Sequence, residues 1–319
     1  MTASDIRRGS WLTQFIPAGL QPYATLARLD RPIGAWLLLF PCWWSTALAY
    51  LATGKSLDLE FLRLFIMFAI GALVMRGAGC TFNDFVDRDF DRQVARTAER
   101  PIPSGQVTPK RAAIFMVLQM LVGFAILISL SPFAIAIGVA SLLLVFTYPF
   151  MKRITYWPQA WLGLTFNWGA LVGWAAVTND LSWPALALYA GGIFWTLGYD
   201  TIYAHQDKED GALIGVNSSA LRLGNKSRTG IALFYGITVI LFAAALFLAM
   251  QQRTMMESYS LPTVVLCSAL ALISLQFVWQ VRTLEQDDPQ DCLRKFKSNS
   301  LIGWLLFLAP LVLIVLLGL

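Results

Sequence analysis

Residues 61–82 read FLRLFIMFAIGALVMRGAGCTF, and they run directly into Asn83-Asp84-Phe85-Val86-Asp87-Arg88-Asp89-Phe90-Asp91-Arg92. The first part carries only two charges, Arg63 and Arg76. It has the length of an apolar helix that crosses a bilayer, which needs roughly 20 residues. The second part places four carboxylates where that helix would leave the membrane. The first part sets the fold class, and the second is the feature that a function has to explain.

Eight more runs resemble residues 61–82, so spans are expected at 34–53, 61–82, 112–130, 133–150, 158–177, 183–203, 229–250, 261–281 and 300–318. The composition agrees: 57% of the 319 residues are hydrophobic and 13% charged, against about 25% charged in a soluble domain. A mean hydropathy of +0.61 with 12 Trp excludes disorder. The expected architecture is all-α, a single intramembrane domain over 1–319 with nine transmembrane helices in one bundle. Residues 1–33 form a cytoplasmic or interfacial segment, in which Trp11, Leu12, Phe15 and Ile16 suit a short interfacial helix. That segment lacks the apolar core of a secretory signal. Ser131-Pro132 and 178–181 read as tight antiparallel turns.

Of the 24 Lys and Arg, 20 fall in the N-terminal segment and in alternate loops. By the positive-inside rule that side is cytoplasmic. The N-terminus is then inside and the C-terminus, after nine crossings, outside; in a bacterium the membrane is the inner one. Four cysteines, Cys42, Cys80, Cys267 and Cys292, have no paired spacing and indicate neither a disulfide framework nor zinc. The net charge of +5 reflects the same loop bias and implies no nucleic acid, and nothing points to an obligate protein partner.

Asn83, Asp87 and Asp91 recur at i, i+4 and i+8, a step that drifts only about 40° per four residues, so their oxygens line one helix face. Like charges four apart destabilise a helix and call for a cation. Oxygen-only donors favour a hard ion, and Mg²⁺ commonly takes one or two carboxylates plus substrate phosphates. The bland alternative is a solvated acidic end relieved by Arg88 and Arg92. A second acidic group, Asp200 through Asp207, Glu209 and Asp210, ends the sixth run on the same side. Two such groups suit two metal ions on one polyphosphate, or else a surface loop. Arg76, seven residues before Asn83, is a charge at membrane depth and hence a functional candidate. Arg92, Arg96, Arg100, Lys152 and Arg153 crowd the same side, where guanidinium groups suit phosphate or carboxylate. His205 is read as a hydrogen-bonding group ahead of a proton shuttle. Trp43-Trp44 and Phe194-Trp195 read as helix packing or interface belts ahead of cation stabilisers.

These motifs resemble the UbiA superfamily of intramembrane prenyltransferases, in its 4-hydroxybenzoate branch. Asn83 to Asp91 looks like NDxxDxxxD, and Arg96-Thr97 to Gly105 like RTxxRPxPSG. Tyr148 to Gln159 resembles YPxxKRxTxxPQ, and Asp200 to Asp207, Ser218-Ser219-Ala220 and Arg31-Pro32 to Pro41 are similar to further family segments. The usual DxxxD departs here, since Asp207 is followed four positions later by Gly211; Asp210 or Asp200 stands in. The resemblance implies a helical bundle around a central cavity open to the cytoplasmic side. It implies polyprenyl diphosphate and 4-hydroxybenzoate as substrates, with Mg²⁺ on Asn83, Asp87, Asp91, Asp207 and Asp210. Arg76, Arg88, Arg92, Arg96, Lys152, Arg153 and Tyr203 are implied at the substrates, and Asp207, Asp87, Asp91 and Arg153 in catalysis, with Arg153 and Arg88 on the acceptor carboxylate and Asp207 activating the phenol. Other acceptors of the family, haem, a naphthoate or homogentisate, remain alternatives. A divalent-cation transporter is a further one, although its acids belong near the bilayer midplane. The role of Phe296 to Asn299 has no derivation from sequence.

Overall fold

The computed structural model describes residues 14–93, 97–207, 217–252 and 260–319, apart from the side chains of Asp207 and Ser260. The helices are α1 (Gln21–Leu26), α2 (Ile33–Thr53), α3 (Leu59–Asp91), α4 (Pro109–Leu127), α5 (Pro132–Ala140), α6 (Leu142–Ile154), α7 (Pro158–Phe166) and α8 (Gly169–Thr178). Then come α9 (Trp183–Ala204), a 3-10 turn at His205–Asp207, α10 (Ser219–Leu223), a 3-10 turn at Gly224–Lys226, α11 (Ser227–Gln252), α12 (Ser260–Arg282) and α13 (Pro289–Leu316). Among the described residues there is no strand. A helix satisfies its own backbone groups, which lipid cannot do.

All nine apolar runs are helical, and among the described residues eight helical segments are long and apolar enough to cross a membrane. The run at 183–203 is α9, which does not reach that apolarity. It carries Asp200 and the buried Thr196, Tyr199 and Thr201, and protein rather than lipid surrounds those three. Two other runs are interrupted. The fourth divides into α5 and α6 at Ser141, whose hydroxyl bonds the Gly138 carbonyl at 2.6 Å. The fifth divides into α7 and α8 at Asn167, whose amide donates to Gly163 O at 2.9 Å and to Thr196 Oγ1 at 2.8 Å. The two tight turns are present and tied together: Ser131 Oγ donates to Ala175 O at 2.7 Å, and Asn179, at φ 55°, accepts from the Phe133 N–H.

Helix starts follow capping chemistry. Asp58 precedes α3 and accepts the Phe61 N–H at 2.8 Å, which lowers its carboxyl pKa below the ordinary value. Thr108, Ser131 and Asp288 cap α4, α5 and α13, each followed by Pro at the first helical position. The 33 residues of α3 span about 50 Å against a bilayer core of about 30 Å. Its last turns therefore extend beyond the apolar run, carrying the acids with them.

Two compact units partition the chain: Met1–Trp36 with Met67–Ser129, and Leu37–Ile66 with Leu130–Leu319. In the first, Leu26, Ile102, Val107 and Ala112 form a small core with Tyr23, Phe85 and Phe115 packed on it. In the second, the core is aromatic, with Phe40, Trp44, Tyr50, Trp174, Trp195, Tyr199 and Phe242 fully buried. Trp44 donates to the Gly303 carbonyl at 2.7 Å and lies 5.0 Å from Trp195. Trp43 stacks on Phe65 at 4.1 Å. These tryptophans pack helices, as expected.

Candidate active site

In the first unit, α3 stays helical to Asp91, so Asn83, Asp87 and Asp91 form the stack that their spacing predicts. Asp84, Asp87 and Asp91 are only 1%, 4% and 8% exposed. Carboxylates so buried need cations. Arg88 and Arg92 do not supply them: Arg88 lies over the Phe85 ring at 5.0 Å and within 3.7 Å of the exposed Asp89, and Arg92 is exposed. The cations come from elsewhere. Arg28 Nη2 donates to both oxygens of Asp84, at 2.8 and 2.9 Å. Arg100 Nη1 donates to Asp84 Oδ1 at 3.1 Å and to Asp91 Oδ2 at 2.9 Å.

Arg100 is held there by its loop. Thr97 Oγ1 bonds the Asp91 carbonyl at 2.9 Å, closing the end of α3. Ser104 N and Oγ both bond the Arg100 carbonyl, and Val107 N reaches Pro101 O at 2.8 Å. Gly105 takes φ 79°, open to glycine and strained for other residues. Ile102 and Val107 then anchor the loop in the small core. Arg76 packs against the first turn of α2, where a Cβ on Gly34 would lie 2.7 Å from Arg76 Nε.

In the second unit, Lys152 and Arg153 occupy the last turn of α6, Lys152 half-buried and Arg153 exposed. The Lys152 carbonyl accepts from Asn217 N at 2.9 Å. Gln159 Oε1 accepts from Ser219 N at 3.0 Å, and Ser219 Oγ lies 2.6 Å from Thr201 Oγ1. Three sequence motifs are thereby joined on α9. Tyr203 packs on Phe296 at 4.5 Å, Tyr199 on the same ring at 5.6 Å, and Trp195 Nε1 donates to Asn299 Oδ1 at 2.9 Å. This gives the Phe296–Asn299 stretch its physical role: it sets α13 against α9 at the end that leads to Asp207. His205 is buried. The Asp207 backbone closes the 3-10 turn, while its side chain, Asp210, Gly211 and Arg96 lie outside the described residues.

A model of the UbiA prenyltransferase family matches residues 38–317. The chain belongs to that family. It is 44% identical over 304 residues to the mitochondrial 4-hydroxybenzoate polyprenyltransferase of Arabidopsis thaliana, covering 95% of this chain and 71% of that one. The fold is shared with a UbiA homolog from Aeropyrum pernix K1, with a TM-score of 0.68 and 21% identity over 86% of this chain and 97% of the other. It is also shared with a UbiA homolog from Archaeoglobus fulgidus solved with GPP and Mg²⁺, at 0.64 and 15% over 92% and 99%. Like its family, the chain is a multi-pass integral membrane protein.

The donor chemistry of this UbiA chain fits a hard divalent cation. Asn83, Asp87 and Asp91 offer oxygens along one face. Among the described residues no three acidic, His or Cys side chains gather into a ready cage, and Mg²⁺ does not need one where substrate phosphates complete its shell. Asp84 fits poorly as a ligand, because guanidinium groups take both its oxygens. The partnerships of Asp84 with Arg28 and Arg100, and of Asn299 with Trp195, escaped sequence reasoning because they join residues 16 to 104 positions apart.

Proposed function

We propose that this chain transfers the polyprenyl group of a polyprenyl diphosphate to 4-hydroxybenzoate, at the ring carbon beside the hydroxyl, in ubiquinone biosynthesis. The observation that carries the reading is 44% identity over 95% of the chain to a 4-hydroxybenzoate polyprenyltransferase. The whole of 1–319 serves as one intramembrane domain with nine crossings around a cavity open to the side rich in Lys and Arg. The loop bias of 20 in 24 bases supports an inside N-terminus and, after nine crossings, an outside C-terminus; the proposed location is the inner membrane of a bacterium.

Asn83, Asp87, Asp91, Asp207 and Asp210 present oxygens to Mg²⁺, with Asp200 as the other candidate for the acid missing at Gly211. When bound, the ion would supply positive charge against the negative charge developing on the departing diphosphate, and the GPP and Mg²⁺ in the Archaeoglobus fulgidus homolog support its use. Arg76, Arg92 and Arg96 assist at the diphosphate. The allylic C–O bond breaks with its electron pair leaving on diphosphate, and the aromatic surroundings exclude water from the resulting cation. Arg153, with Lys152, Arg88 and Tyr203, orients the acceptor by its carboxylate. Asp207 takes the phenol proton and the ring carbon attacks the cation; the proton at that carbon then passes to the released diphosphate, which restores the ring, and Asp207 returns its proton to the phenol oxygen.

Asp87→Ala and Asp207→Ala test the assignment. Each is expected to lower the rate of diphosphate release by about 100-fold or more. Full activity in both variants would show that the site is misassigned.

A further inference from the structure

Asp84 stands inside the acidic stretch, yet its carboxylate is already taken. Arg28 Nη2 reaches both oxygens, Arg100 Nη1 reaches one, and the residue is 1% exposed. Paired charge-assisted bonds of this kind are the strong ones. Arg28 holds its place at φ 57°, a backbone that a bulky residue keeps only where its surroundings over-determine it. The grip on Asp84, with Nη1 on the Thr25 carbonyl at 3.1 Å, does that. Arg100 in turn divides one nitrogen between Asp84 and Asp91.

The geometry points to Asp84 as a positioning residue and not a metal ligand: fixed by Arg28, it anchors Arg100, which is the resident counter-cation of Asp91 and must release it to a divalent metal. Asp84 gives Arg100 a second carboxylate to remain on. Without it, Arg100 leans more on Asp91 and competes with the metal. This rests on the reading of Asn83, Asp87 and Asp91 as metal-binding.

The test titrates the full chain in detergent micelles with Mn²⁺ alone and follows bound metal by electron paramagnetic resonance, with thermal unfolding as a check on folding. Asp84→Asn is expected to weaken Mn²⁺ binding about 10-fold, the size of effect that loss of an outer partner has on a metal site. Arg100→Gln is expected to tighten it, and to restore the affinity when added to Asp84→Asn. A double variant that binds Mn²⁺ no more tightly than Asp84→Asn alone would overturn the proposal. Should Asp84→Asn fail to fold, Arg100→Gln decides by itself, since weakened binding there also overturns it. Asp87→Asn separates the two readings: unchanged Mn²⁺ binding in that variant removes the metal site itself, whereas failure confined to the Asp84 and Arg100 variants removes only the anchor.

Discussion

Replacing Asn299 with Leu tests whether α13 sets the catalytic end of α9. Asn299 Oδ1 accepts the Trp195 indole N–H at 2.9 Å, and its amide donates to the Lys295 and Phe296 carbonyls at 3.0 and 3.2 Å. Both Asn299 and Trp195 are fully buried. Leu is close in size, so the main loss is the acceptor. A buried donor left without a partner costs about 1–3 kcal/mol, whereas interhelical hydrogen bonds in membrane bundles average about 0.6 kcal/mol and reach about 1.7. The orphaned donor dominates, because no water reaches the indole to replace Asn299, and the expected loss is about 1–2 kcal/mol. Trp195→Phe carries its own cost, since the indole packs on Trp44 at 5.0 Å and on Tyr199 at 4.9 Å. In that background, however, Asn299→Leu leaves no indole donor orphaned and should cost about 1 kcal/mol less. The four proteins of this cycle are compared by unfolding in mixed micelles and by turnover. An equal effect of Asn299→Leu in both backgrounds would refute the hydrogen bond, and a stability loss with unchanged turnover would refute its positioning of α9.

Two further outcomes are expected. Gly34→Ala puts a methyl 2.7 Å from Arg76 Nε, so the guanidinium has to move; kcat/KM for the prenyl diphosphate should fall about 10-fold or more, as displaced positioning groups cause. Treatment with EDTA should abolish turnover and added Mg²⁺ should restore it, which diphosphate release measures.

Much of the helical architecture was legible because hydropathy reports on lipid and length reports on bilayer thickness. At α9 it gives the helix but not its setting, since Thr196, Tyr199 and Thr201 lie inside protein. It is equally blind to Ser141 and Asn167, whose side-chain bonds interrupt otherwise apolar runs. The face of Asn83, Asp87 and Asp91 was legible because four-residue spacing is helical geometry. The counter-charges of Asp84 and Asp91 were not: nearest-neighbour reasoning points to Arg88 and Arg92, while the partners lie on the α1–α2 connection and on the loop after α3. The basic residues counted toward orientation also divide on inspection. Arg28 and Arg100 serve buried acids, and Lys295 is buried, with Nζ at 2.6 and 2.7 Å from the Asp291 oxygens and 5.0 Å from the Trp279 ring. Positive-inside counting sees only their sign.

The most direct measurement is product analysis by mass spectrometry with the purified chain, a polyprenyl diphosphate, Mg²⁺ and a panel of 4-hydroxybenzoate, a naphthoate, homogentisate and haem. The expected result is one prenyl group on the 4-hydroxybenzoate ring beside its hydroxyl, with one diphosphate released per product and none without Mg²⁺. Transfer only to another acceptor, or metal uptake into vesicles without prenyl transfer, would contradict the account.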